Sequence, residues 1–155
     1  MAVIAGAKYD TKIGPLKALY DKVDHLILGG LIYNTYVSAK YGVQIAGVSE
    51  EDRALAAQLV ELNKKGNKIL EMSYLVESDT TEGRIDGRFR TISLENMRQE
   101  KKIGYVLDID PRSYEEKTVK DVIGSAKTIF VNAVMGFMPL FFEGSGVLYD
   151  LIASN

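Results

Sequence analysis

Short apolar runs alternate with amphipathic stretches along the whole chain. The run Val3, Ile4, Ala5 predicts a buried strand over 3–7, and Leu26, Ile27 and Leu28 predict a second that ends in Gly29-Gly30. Further strands are predicted over 68–72, 89–94, 105–109 and 128–131, and 78–87 is charged and turn-rich, a loop. Between the strands lie helical patterns. One covers 15–22, with Pro15 in its first turn, and one covers 32–41, stopped by Gly42. Ser49-Glu50-Glu51-Asp52 opens a long helix with an N-cap and three acids facing the positive end of the dipole. Ala54, Leu55, Leu59 and Leu62 form its apolar stripe, Lys64 and Lys65 close it, and Gly66 suits the left-handed cap position. Ser113-Tyr114-Glu115-Glu116 reads as a capping box for a helix running to about Gly124, and a last helix covers 145–153.

Strands separated by helices imply right-handed crossovers, so the pattern predicts an α/β fold with a mostly parallel sheet. At 155 residues the chain is read as one domain, 1–155, and 46% apolar residues suffice for a core. The charge balance, 19 basic against 21 acidic residues, gives no support to nucleic-acid binding. Without cysteine there is neither a disulfide nor a thiolate metal site. No apolar run reaches the ~18 residues of a membrane span, and Met1-Ala2-Val3 lacks the basic start of a signal peptide.

The chemistry that stands out lies at the first strand-to-helix junction. Gly6 begins a turn that carries Lys8 and Lys12, two cations where α/β sheets commonly bind phosphate. The alternative is a pair of solvated loop lysines. Gly29-Gly30 lets backbone approach a flat ligand, or simply ends a strand. Asn132, at a strand end, is a ligand contact or a turn former. His25, the sole histidine, sits at a strand start and reads as structural, and one histidine without cysteine assembles no catalytic triad or zinc site. Asp110 reads as a helix cap rather than a metal ligand. Arg84, Arg88, Arg90, Arg98, Lys101 and Lys102 form a loose basic stretch, a solvated face or a surface for an acidic partner.

These motifs also carry a resemblance. Gly6-Ala7-Lys8 with Lys12-Ile13 resembles the Gly-Gly-Ala-Lys-x-x-Asp-Lys-Ile signature of phosphoglycerate kinase, with Ala5 for the first glycine and Thr11 for the aspartate. Asp24 to Gly30 is similar to the strand and Gly-Gly-Gly turn of that family, with Leu31 in the third glycine's place. Gly66 to Leu70 resembles the run into its Leu-Pro strand, where Glu71 replaces proline. Gly104 to Pro111, Ser125 to Asn132 and Asn132 to Gly136 are similar to three later segments, in the same order.

The resemblance implies a truncated, diverged C-terminal, nucleotide-binding domain: a mostly parallel Rossmann-like sheet with helices on both faces. It implies Lys8 as the catalytic group facing the transferring phosphoryl. It implies nucleotide binding by Gly6, Lys8, Lys12, Gly29, Gly30 and Asn132, ADP or ATP with Mg²⁺ as ligand, and no protein-held metal. Cytoplasmic localisation is implied too, or an organelle if a transit peptide has been removed. Departures point the other way. Phe137-Met138-Pro139-Leu140 stands where the family has Val-Phe-Glu, whose glutamate binds ribose. The family's N-terminal acceptor domain, its last strands and its Gly-Gly-Gly-Asp-Thr loop, which carries the Mg²⁺ aspartate, have no counterpart in the 155 residues. The expectation is weak nucleotide binding without phosphoryl transfer by this chain alone. The alternative is a structural subunit that keeps the fold as scaffold in a larger assembly. Residues 137–152, from Phe137 to Ile152, are rich enough in apolar side chains to form its contact.

Overall fold

The N-terminal apolar run forms β1 (Ala2–Gly6), buried along nearly its whole length. In the computed structural model, residues 1–8, 11–132 and 134–155 are described. Tyr9 and Asp10, within the Lys8–Lys12 turn, and Ala133, in the segment similar to the family's Asn-Gly-Pro-Met-Gly, lie outside the described residues. After α1 (Ile13–Tyr20) comes β2 (Leu26–Gly29), parallel to β1 with Val3 opposite Ile27. On the other side of β1 lies β8 (Phe130–Asn132), also parallel, with Val3 opposite Val131. This three-stranded parallel sheet, in the order β2-β1-β8, is the expected α/β framework.

Helix α2 (Gly30–Tyr41) follows β2 with no intervening residue. Gly30 makes the abrupt turn possible: its φ is +61°, and a Cβ there would lie 3.0 Å from the Gly6 carbonyl oxygen. Ile32 to Ser38 are all buried, as befits a helix enclosed on every side. It packs on β1 and β2, on β7 (Tyr105–Ile109) and on α3 (Glu50–Gly66). Its polar groups find partners there. The Asn34 amide donates to Val106 O at 2.9 Å, and the Tyr33 hydroxyl bridges the Met72 carbonyl and amide.

Ser49 caps α3 by accepting from Asp52 N, as its sequence predicts. The far end differs from expectation. Gly66 belongs to the helix, and the left-handed cap is Asn67, with φ +50°. Gly66 is required for another reason: a Cβ there would collide with the Tyr20 hydroxyl.

Residues 68–72 do not form the predicted strand. They run beside β2 through a single bridge, Leu26 to Ile69. Several of their amides go to side chains: Lys68 N and Ile69 N to Asn63 Oδ1, and Met72 N to Tyr33 Oη. The strand is instead β4 (Tyr74–Ser78), the centre of an antiparallel sheet β5-β4-β7 with β5 (Phe89–Ser93). Pattern reading does not foresee this sheet because β4 buries polar Glu77. That carboxylate accepts from Arg90 Nε at 2.6 Å and Gly104 N at 2.7 Å. Two-residue β3 (Gln44–Ile45) and β6 (Lys102–Ile103), and α4 (Leu94–Glu100), are likewise too short to announce themselves.

The predicted capping box is absent. Asp110 caps a 3-10 turn at Pro111–Glu115, while the Ser113 hydroxyl donates to Tyr74 O and accepts from Tyr74 N. Helix α5 (Lys117–Ser125) starts only afterwards, and α6 (Glu143–Ala153) closes the chain. Residues 137–152 are not uniformly exposed: Phe141 and Leu148 are buried in the chain's own core, and Val147, Leu151 and Ile152 pack against it. Phe137, Met138, Phe142 and Tyr149 remain outside, near Phe130 and Val134 in sequence and exposure. Among the described residues, no helix is long and apolar enough to cross a membrane.

Candidate functional site

A cavity of about 390 Å³ opens where β1 ends and α2 begins. This is the size range of small-ligand sites. Its floor is backbone: Gly6 and Gly30 form a parallel bridge there, which their missing side chains allow. Its walls are apolar. Leu31 comes from α2, Tyr105 and Leu107 from β7, and Val134 and Phe137 from the segment after β8. Thr81 adds one wall from the loop between β4 and β5.

The six expected site residues divide. Gly6 and Gly30 line the cavity together. Lys12 is close to Gly6 in space, since a Cβ built on Gly6 would lie 3.8 Å from Lys12 Cε, but it is not among the residues lining the cavity. Lys8 is exposed in the turn, where its carbonyl accepts from Thr11 Oγ1 at 3.4 Å. Gly29 does not line the cavity. It is buried under Met135, whose sulfur and Cε would come within 2.5 Å of a Cβ there. Ala5 likewise faces Gly29 and the core rather than the cavity. Asn132 is exposed at the end of β8, beside Ile4, and is not among the lining residues. Leu31 and Val134 do reach the cavity and narrow it.

Sequence reasoning misses Asn34 and Thr81, which no motif marks, and reads Tyr105 only as part of a strand segment. Glu71, read only as a replacement for the family's proline, accepts from the Tyr41 hydroxyl (2.6 Å to Oε2) and pairs with Lys40 at 2.8 Å. Arg98 stacks on the Tyr41 ring, 4.5 Å from its centroid. Burial and the Glu71 carboxylate push the Tyr41 hydroxyl well above its ordinary range.

Asp108, near the end of β7, is 2% exposed. One oxygen accepts from Ile109 N at 2.8 Å and the other from Gly144 N at 3.0 Å, at the start of α6. Desolvation raises its pKa to about 6, aided by Glu143 and opposed by those two amides and by Arg84. Among the described residues, no group of three or more carboxylates or histidines is placed to hold a metal ion.

Parallel strands, a glycine turn into a buried helix, and a cavity at the strand ends define an α/β domain with its cavity where such sheets commonly hold ligands. The chain belongs to the phosphoglycerate kinase family, whose model matches residues 1–155. It is 33% identical over 149 residues to phosphoglycerate kinase of Limosilactobacillus reuteri, a match covering 94% of this chain and 34% of that protein. To phosphoglycerate kinase of Trichodesmium erythraeum it is 31% identical over 160 residues, covering 99% and 38%. The structure of phosphoglycerate kinase from Coxiella burnetii superposes with a TM-score of 0.83 at 26% identity, covering 99% of this chain and 39% of that one. The enzyme from Pyrococcus horikoshii shares the fold, with a TM-score of 0.65 at 19% identity. The chain thus spans well under half the length of these relatives.

Proposed function

We propose that this domain binds an adenine nucleotide weakly and does not by itself transfer a phosphoryl group. The observation that supports this is the juxtaposition at β1 and α2: an apolar slot floored by Gly6 and Gly30, with the Lys12 side chain passing close to Gly6. An apolar slot suits a flat base, and lysines on the turn that follows Gly6, Lys8 and Lys12, suit phosphates. Phosphoryl transfer depends on positioning and charge stabilisation at both donor and acceptor. The slot is also narrowed by Leu31 and Val134, and residues 137–140 lack the family's ribose-binding glutamate. Losing a charged hydrogen bond costs about 1.5–3 kcal/mol, roughly one to two decades in affinity. Calorimetry is expected to give ADP and ATP dissociation constants between about 100 μM and a few millimolar, weakened further by Lys12→Ala. A coupled assay with ATP, Mg²⁺ and 3-phosphoglycerate should show no turnover. Low-micromolar binding, or turnover abolished by Lys8→Ala, would overturn this reading.

One observation favours a second reading, that of an interaction subunit. Among the described residues strand β8 has a neighbour on one side only, and Phe130 is 53% exposed on it. Val134, Phe137, Met138, Phe142 and Tyr149 add further exposed apolar surface. Unpaired edges and such patches recruit other chains. On this reading, light scattering gives a mass above the 17.2 kDa of one chain, or the chain requires a partner to stay folded. A soluble monomer with a cooperative thermal transition would eliminate it.

A further inference from the structure

Two walls of the cavity come from segments far apart in sequence. Thr81 belongs to the loop joining β4 to β5, and Val134 and Phe137 to the strap that leads into α6. Arg84 connects them. Its guanidinium lies against two rings, 5.1 Å from the centroid of Phe89 and 5.1 Å from that of Phe141. The rings themselves meet edge to face at 5.5 Å. Nη1 donates to the Leu140 carbonyl at 3.1 Å and pairs with Glu143 at 2.7 Å, the first residue of α6. A planar cation with a fork of donors can stack on both rings and bond to the strap at once; a lysine cannot.

The strap is otherwise tied down at its ends. Met135 N donates to Ser145 Oγ at 2.7 Å, and Phe137 N to Leu107 O at 2.7 Å. Residues 138–140 lie between these ties and α6 and are largely exposed. They include the cis Met138–Pro139 peptide. The Arg84 contacts, together with the Phe89–Phe141 ring contact, join this stretch to the segment across the cavity.

We infer that Arg84 is a positioning residue of the cavity, a clip that binds the Thr81 loop to the Phe137 strap and holds the slot at the width a flat aromatic ligand needs. The inference rests on the nucleotide reading above, but its first measurement needs no ligand. Amide exchange followed by mass spectrometry on the full chain should show exchange in 79–88 and 134–143 accelerated about tenfold or more in Arg84→Ala, with β1 and α2 unchanged. ADP affinity should fall about tenfold if the ordered strap drops to a tenth of the population. Binding of pyrophosphate, which lacks the ring, should stay the same. Arg84→Lys should recover the exchange protection only in part.

Unchanged exchange in both segments of Arg84→Ala would overturn the clip. So would equal losses for ADP and pyrophosphate, which mark a general loosening. If Arg84→Ala does not fold, Glu143→Gln carries the test: it removes one tie, leaves the rings stacked, and must raise exchange in the same two segments, or the clip is wrong. Should the wild-type chain bind no ADP, the nucleotide reading fails while the exchange comparison still decides the clip.

Discussion

Replacing Asn63 by alanine is expected to destabilise the fold by about 3–5 kcal/mol. The residue is 6% exposed and satisfies groups on three elements. Its Oδ1 accepts from the Tyr20 hydroxyl of α1 at 2.9 Å, from Lys68 N at 2.9 Å and from Ile69 N at 3.0 Å. Its Nδ2 donates to the Tyr36 hydroxyl of α2 at 3.0 Å. Truncation leaves several buried polar groups unpaired, each costing about 1–3 kcal/mol. The measurement is the urea midpoint at fixed protein concentration. Asn63→Asp, whose protonated carboxyl keeps an acceptor and offers one O–H donor, should cost less than Asn63→Ala below the carboxylate pKa. A loss under about 1 kcal/mol for Asn63→Ala would mean that water takes over the hub.

The second large effect is a pH dependence from Asp108. Its folded pKa, about 6, lies above the unfolded value near 3.9. Between these limits the folded chain holds a proton that the unfolded chain has released. Stability from this group is therefore fully present below about pH 4 and is lost as pH rises through about 6. Two units correspond to about 3 kcal/mol as an order of magnitude. The informative quantity is the difference between wild type and Asp108→Asn. That difference should shift by about 2–3 kcal/mol between pH 4 and pH 7, in favour of the variant at the higher pH. A constant difference would show that the carboxylate is not shielded from water.

Much of the framework is legible in the sequence because it follows single-element rules. Val3 to Ala5 and Leu26 to Leu28 are apolar without interruption, as strands covered on both faces must be. Ser49 and the three acids after it mark a helix start by local hydrogen bonding and dipole alone. What fails depends on distant partners. Residues 68–72 look like a strand, yet Asn63 and Tyr33 take amides that a ladder would use. Strand β4 looks like no strand because the partners that make Glu77 tolerable lie 13 and 27 residues away. Ser113 satisfies the capping-box pattern, but Tyr74 competes successfully for its hydroxyl.

The cavity shows the same division. Gly6 and Gly30 each stand in a legible strand-ending turn, and the bridge between them puts both in the cavity. Gly29 lies outside the cavity because glycine also serves close packing, here beneath Met135. Asn34, Thr81 and Tyr105 reach the cavity from three separate elements, and no spacing in the chain records that meeting.

The central strand of the parallel sheet has partners of very different origin. β1 meets β2 across one short helical connection, whereas the Met1 amino group and Thr128 O, which meet at 2.8 Å, are separated by 127 residues. Closing the longer loop costs about 1–2 kcal/mol more in chain entropy, and contacts at such separation form slowly. During synthesis β1 and β2 can pair as soon as β2 is made. The other edge of β1 must wait until β8 has followed, long after β2 in the sequence. For that interval Ala2 to Ala5 present an open apolar edge, the kind of surface on which nascent chains aggregate or recruit chaperones.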